Sequence, residues 1–249
     1  MNSSVETLSL FNLALAFLPA LLVVAVLFRW SLQAGNALYA MLRMLVQLLL
    51  IGYFLTYIFE ADSGWVILAV LLVMVLASSW IALGTVSKTQ RKVLYGHALL
   101  AILISGGVTL AIVTEGVIGL DPWYMPQYMI PLAGMIFSNS MNSVSLCAER
   151  LAAEMQRDVE WLKARNIAMQ ASMIPMVNSL FAVGLVSLPG MMTGQILSGV
   201  SPHIAARYQI MVMCMIFGSA GIAAVLFLLT SRRIFEREYG RTARPQSLP

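Results

Sequence analysis

Seven apolar stretches in this 249-residue chain each reach bilayer-spanning length, and the positive charges between them are sorted. Of the fifteen Lys and Arg, thirteen fall on alternate sides of successive stretches, so all thirteen land in one compartment. A soluble core has no reason to arrange charge that way. A membrane protein does, because Lys- and Arg-rich loops stay cytoplasmic. The sorting predicts an all-α, polytopic membrane helix bundle of about seven transmembrane helices, with the N-terminus outside and the C-terminus inside.

Composition agrees. Hydrophobic residues make up 60% and charged residues 10%, with a mean hydropathy of +0.85, whereas soluble domains carry about 25% charged residues. Seven spans of about 20 residues account for roughly 140 positions. That leaves short loops and a tail, so residues 1–249 read as a single transmembrane domain. The net charge of +4 belongs to the cytoplasmic loops and does not mark a nucleic-acid surface. Met1 to Leu10 carries Glu6 and no Lys or Arg, which is unlike a cleaved signal.

The expected spans are residues 8–28, 38–59, 65–83, 98–118, 126 or 131 to 146, 167–188 and 202–229. Pro19 lies in the first, Gly106-Gly107 loosens the fourth, and Pro175 kinks the sixth, which Pro189-Gly190 breaks. Ser201-Pro202 is a helix start. Residues 149–165 form a cytoplasmic amphipathic segment and residues 230–249 a basic cytoplasmic tail with Arg232, Arg233, Arg237, Arg241 and Arg244.

Some chemistry is missing from the sequence. It has no G-x-x-x-x-G-K-[ST] phosphate loop. No Asp or Glu lies in the apolar core of a span, where ion-coupled carriers usually keep one. Energy for uphill transport is therefore expected from a partner, with no cofactor on this chain.

The candidates for a translocation path are the polar groups inside spans. Arg43 is the one charge deep in a span, and Gln47 lies one turn further on the same face. They either line a path and grip an anionic group, or Arg43 reaches back to the cytoplasmic surface. Asn139 and Asn142 share a face of span five. Asn178 and Ser179 lie midway along span six. All of these either line a path or bond between helices.

Seventeen methionines are many. Met191-Met192 follow the Pro-Gly break, and Met211, Met213 and Met215 cluster with Cys214. Thioethers bind soft metals, but methionine also fills apolar cores, so a metal site stays unknown. His97 and His203 fall on opposite sides of the membrane. Cys147 and Cys214 are far apart and imply no disulfide framework.

Within residues 149–165, Leu151, Met155, Val159 and Leu162 recur at spacings of four, four and three. That is one apolar stripe if the segment is a helix. Glu154, Arg157, Glu160 and Lys163 fall opposite. The stripe is a docking element for a cytoplasmic partner or a solvated extension of span five.

Four strings carry a resemblance: Gln47-Leu-Leu-Leu-Ile-Gly-Tyr, Ile130-Pro-Leu-Ala-Gly-Met-Ile, Val183-Gly-Leu-Val-Ser-Leu-Pro-Gly-Met-Met and Tyr208-Gln-Ile-Met-Val. Together, over roughly residues 38 to 235, they resemble the FetB-type iron-export permease family, which also includes the plant aluminium-tolerance permeases. The positions that match are Arg43, Gln47, Gly52, Pro131, Gly134, Met135, Asn139, Pro175, Pro189, Gly190, Met191, Met192, Tyr208 and Gln209.

The resemblance implies the membrane half of an ABC transporter, a homodimer in the bacterial inner membrane paired with a separate ABC ATPase. The implied cargo is iron or another metal. The alternatives are a sugar nucleotide or other organic solute, or an uncoupled channel or scaffold. That last alternative rests on a departure: family members carry a longer loop between spans five and six, with a Leu-Gly-Ala-Thr-type turn and an Ala-rich helix that resembles a coupling helix. Here residues 151–165 are shorter by roughly a helix.

Overall fold

A computed structural model describes residues 9–60 and 63–239. The chain divides into two compact units, residues 1–62 and 63–249. Glu6, Asp62, Arg241 and Arg244 lie outside the described residues.

The first unit holds α1 (Leu10–Leu15), α2 (Phe17–Arg29) and α3 (Ala34–Glu60). Ser9 caps α1 by accepting from the Asn12 amide at 3.2 Å. The helix is interrupted at Ala16, within reach of Pro19, whose missing N–H leaves the Leu15 carbonyl without its usual partner. At the end of α2, Ser31 takes a left-handed conformation (φ 55°). Leu32 N donates to Leu27 O at 2.9 Å and Ser31 N to Phe28 O at 3.1 Å. That bond pair is a Schellman termination with serine in the position glycine usually holds. No residue of α2 is buried within the chain, so its apolar surface suits lipid.

The second unit is a bundle of α4 (Gly64–Ala82), α5 (Lys88–Ala111), α6 (Pro126–Met155), α7 (Trp161–Ala182), α8 (Gly190–Leu197) and α9 (Pro202–Tyr239). A 3-10 turn (Leu83–Thr85) follows α4, and α5 runs into a π-helical stretch (Ile112–Ile118). Helix α4 has no charged residue and suits burial or lipid on every side. Helix α5 opens with a capping box between Ser87 and Gln90. Arg91 ties the two helices together. Its guanidinium donates to the Trp80 carbonyl at 2.6 and 3.2 Å and lies 3.8 Å from the Trp80 ring centroid. This satisfies a carbonyl at the end of α4.

Small residues let the helices approach. Ala98, Ala101 and Ser105 of α5, Ala133, Ser140, Ser143 and Ala148 of α6, and Ala205, Ser219, Ala220, Ala223 and Ala224 of α9 are all at most 1% exposed. Close backbone approach of this kind holds membrane helices together where apolar burial alone cannot. Gly106 is the tightest point, because a methyl there would lie 2.5 Å from Phe137 Cε1. The Gly106-Gly107 pair therefore serves packing, and α5 runs through it unbroken.

Among the described residues, five helical segments are long and apolar enough to cross a membrane: residues 11–29, 34–59, 64–85, 88–118 and 202–239. Helices α6 and α7, at 30 and 22 residues, have the length but are more polar. The chain is an all-α polytopic membrane bundle. The start of α5, the end of α6 and the end of α9 lie together, since Gln90 and Gln156 both reach the Tyr239 hydroxyl, so one end collects Lys88, Arg91, Lys92, Arg150, Arg157, Lys163, Arg165, Arg232, Arg233 and Arg237. At the other end stand Glu115, Asp121, His203 and Arg207.

Several boundaries differ from the sequence expectation. Helix α6 continues to Met155 and α9 to Tyr239, past the expected ends at 146 and 229. Helix α7 runs through Pro175 but stops at Ala182, six residues before its expected end. The chain then turns through Gly184 (φ 83°), and the Ala182 carbonyl accepts from the Leu185, Val186 and Ser187 amides. Span six is broken as expected, but the break falls at Val183, and Pro189-Gly190 marks the start of α8 instead.

Residues 149–165 are not one helix. Asp158 is left-handed (φ 57°). Val159 N donates to Glu154 O and Asp158 N to Met155 O, both at 3.2 Å, closing α6 in a second Schellman turn. Helix α7 then begins afresh at Trp161, so the stripe is split, with Leu151 and Met155 in α6, Val159 in the turn and Leu162 in α7.

Candidate functional site

Two cavities adjoin where α7 ends. The first, of about 290 Å³, is lined by Asn139 of α6, Met176, Ser179 and Leu180 of α7, Val183, Ser187 and Pro189 of the turn, and Met213 and Phe217 of α9. The second, of about 340 Å³, shares Leu180, Val183 and Met213 and adds Met192 of α8 and Ala206, Gln209 and Cys214 of α9. The break after Ala182 creates both. An unbroken helix would fill this space, whereas the turn leaves backbone and short polar side chains around it.

Among the sequence candidates, Asn139 reaches the first cavity, with its Nδ2 donating to the Met135 carbonyl at 2.8 Å. Met192 lines the second and is half-buried. Asn142 and Asn178 are exposed, Met191 is half-buried, and none of the three lines either cavity. Arg43 and Gln47 share a face of α3 and are exposed within the first unit.

Sequence reasoning did not assign Met176 to the path. Its spacing of three from Ser179 and seven from Val183 puts all three on one helical face. Gln209 appeared only as a family-matching position. The structure makes it 5% exposed, with its side-chain oxygen lacking a hydrogen-bond partner.

A third hollow, of about 460 Å³, lies at the basic end. It is lined by Met155, Asp158, Val159, Glu160, Trp161 and Leu162 around the α6–α7 turn, and by Arg232, Glu236 and Tyr239 of α9. Of the docking candidates, Leu151 (0%) and Met155 (8%) are buried, Val159 is half-buried and Leu162 is 51% exposed. The stripe thus divides into an anchored pair and an available pair.

Glu154 was expected on the solvated side, yet it is 5% exposed and stands 2.8 Å from Arg150 Nη2 and 3.8 Å from Arg157 Nη1. Those two cations hold the buried carboxylate. The Tyr239 hydroxyl accepts from Gln90 Nε2 at 2.6 Å, which fastens the end of α9 to the start of α5. Arg232 pairs with Glu236 at 2.9 Å and lies 5.8 Å from the Trp161 ring centroid.

Among the described residues no group of three or more His, Cys, Asp or Glu could hold a metal ion. Cys147 and Cys214 are free thiols.

Comparison with known proteins follows the same outline. The profile of the uncharacterised protein family UPF0014 matches residues 10–165 and 161–235, two stretches that meet just after the α6–α7 turn. The UPF0014 membrane protein slr1647 of Synechocystis is 35% identical over 220 residues, covering 82% of this chain and 85% of its own. The probable iron export permease protein FetB of Escherichia coli is 33% identical over 247 residues, covering 92% and 93%. Protein ALUMINUM SENSITIVE 3 of Arabidopsis thaliana is 30% identical over 229 residues, covering 85% and 82%. No solved structure matches the chain significantly. A helical membrane bundle, a profile match along most of its length and relatives covered nearly end to end make this chain a member of the UPF0014 family of membrane proteins.

Proposed function

We propose that this chain is the membrane-spanning permease subunit of an ABC exporter that moves iron or another metal ion. It works as a homodimer in a bacterial inner membrane, with ATP hydrolysed on a separate ATPase subunit. The iron assignment follows the name of the E. coli relative, which this chain matches over 92% of its length. The absence of a phosphate loop from the sequence agrees with an external ATPase.

The observation that carries the reading is the hollow at the basic end. It opens between the α6–α7 turn and the end of α9, and Val159 and Leu162 stand at its wall with surface to spare. A helix pair closed by a Schellman turn makes a blunt, rigid knob, a shape suited to seating in a partner's cleft despite the shortened loop.

The test is co-expression with ABC ATPase subunits from the same genome, followed by purification and ATP turnover. The pair should co-purify and hydrolyse ATP, and V159D/L162D should keep membrane insertion while weakening association by roughly a hundredfold or more. Burying an unpaired charge at a contact costs several kcal/mol. Unchanged association and turnover in the double variant would reject docking through this turn and favour an uncoupled channel or scaffold.

A further inference from the structure

A groove of about 410 Å³ runs between α4, α5 and α6. Each helix contributes lining residues in order of depth: Leu68 to Val75 of α4, Glu115 back to Leu103 along α5 and its π-helical stretch, and Met129 to Phe137 of α6. At about 1.5 Å per residue these runs cover roughly 11–18 Å. The groove therefore starts at the end of the bundle opposite the basic one and stops near mid-depth. One leaflet of a bilayer core about 30 Å thick is about 15 Å deep, so groove and leaflet match. Leu68, Leu72 and Leu103 are 42%, 57% and 48% exposed, so the groove opens on the surface of its unit. Its floor is open at Gly107, where a Cβ would meet nothing within 4 Å.

Shape limits the occupant. That volume spread over that length leaves a cross-section of roughly 20–40 Å², whereas a helix 10–12 Å across needs roughly 80 Å² or more. A second protein helix cannot enter, and a single hydrocarbon chain can. Charge limits the occupant further. Glu115 is the only ionisable residue in the lining, and none of the ion pairs among the described residues involves it. The Thr114 hydroxyl is already committed to the Leu110 carbonyl at 2.9 Å. Glu115 also stands in the last turn of a helix that ends at Ile118, where free carbonyls make the field negative and favour a cation. π-Helical stretches are rare and frequently occur at functional sites. Trp123, on the same rim, is of the type found at headgroup level.

We propose that this groove binds an aminophospholipid, with one acyl chain lying along α4, α5 and α6 and the headgroup ammonium on the Glu115 carboxylate. A phosphatidylglycerol headgroup lacks that ammonium and brings only its phosphate towards the carboxylate. The site is separate from the two cavities beside the end of α7 and from the hollow at the basic end. It holds whether or not the chain drives transport.

The test uses the full chain, delipidated in detergent, titrated with dioleoyl phosphatidylethanolamine or dioleoyl phosphatidylglycerol and read by native mass spectrometry. One phosphatidylethanolamine per chain should be retained, at least fivefold more tightly than phosphatidylglycerol. Glu115→Gln should bring the two lipids within twofold of each other. Gly107→Phe, which fills the floor, should weaken phosphatidylethanolamine binding at least tenfold. Leu229→Phe, at an exposed position of α9, should match the unsubstituted chain. A phosphatidylethanolamine carrying a diazirine in its acyl chain should crosslink to α4 or α5 within the groove.

The proposal is overturned if no lipid is retained, if the two lipids bind equally, if Glu115→Gln keeps the preference, or if Gly107→Phe with unchanged helix content and elution binds like the unsubstituted chain. Crosslinks confined to residues outside the groove would also overturn it. So would lipid held by the monomer and expelled on dimerisation, which would give the groove to a second copy. Glu115 is exposed, so its substitution should leave folding intact, and that variant decides even if Gly107→Phe fails to fold.

Discussion

Gly106→Ala sets two known effects against each other at one site. Alanine is favoured over glycine in a helix by about 1 kcal/mol. Against that, the new methyl would lie 2.5 Å from Phe137 Cε1, 2.9 Å from Cδ1 and 3.1 Å from Ile136 Cγ2. Carbon atoms pack comfortably at about 3.5–4.0 Å, so the ring must retreat by roughly an ångström. It has little room, since Phe137 is 4% and Ile136 0% exposed. Overpacking of a tight core costs about 1–3 kcal/mol, and the clash outweighs the propensity gain.

A net loss of about 1–2 kcal/mol should lower the melting temperature of the chain in detergent by roughly 2–8 °C. The adjacent Gly107→Ala is the control, because a methyl there meets nothing within 4 Å; it should be neutral or slightly stabilising. Phe137→Leu should cost less by about 1 kcal/mol in the Gly106→Ala background than alone, because the pair shares one contact. A Gly106→Ala melt at or above that of the unsubstituted chain, or strictly additive double-variant energies, would show that the α5–α6 approach is looser than described.

Two further outcomes are expected. Asp158 occupies the left-handed position of a Schellman turn at φ 57°, so Asp158→Gly should stabilise by about 0.5–1 kcal/mol and Asp158→Val destabilise by a similar amount or more, read from melts of the two variants. Reporter fusions at Asp158 and at Gly199 should report opposite compartments, cytoplasmic for the first, because α7 separates them; the same compartment for both would break the topology.

Charge sorting was legible because it depends only on where Lys and Arg fall between apolar runs. It needed no tertiary contact, and the basic end of the bundle reproduces it. A break in span six was legible for a similar local reason, although it falls at Val183 and Pro189-Gly190 marks the start of α8. The stripe through residues 149–165 was not. Its spacings of four, four and three fit a helix, but nothing in Asp158 announces a left-handed residue, which glycine takes far more readily. That one conformation restarts the helical phase and leaves Leu162 exposed while Leu151 is buried. Glu154 was placed on the solvated face by periodicity, and the packing around the end of α6 buries it instead. Asn139 stood out as a polar residue in a span. The burial of Gln209 appears only once the bundle is assembled around it.

Helix α9 is one continuous rod of 38 residues, about 57 Å long at 1.5 Å per residue, nearly twice the thickness of a bilayer core. Gln209 and Met213 near its first end line the paired cavities, and Arg232, Glu236 and Tyr239 near its last end wall the hollow at the basic end. Gln209 and Tyr239 lie about 45 Å apart along the rod, so a tilt of roughly 5° about its midpoint swings each end by about 2 Å, in opposite directions. A push on the hollow therefore displaces the cavity wall too, unless the rod flexes at Gly218 or Gly221, the only two glycines between them.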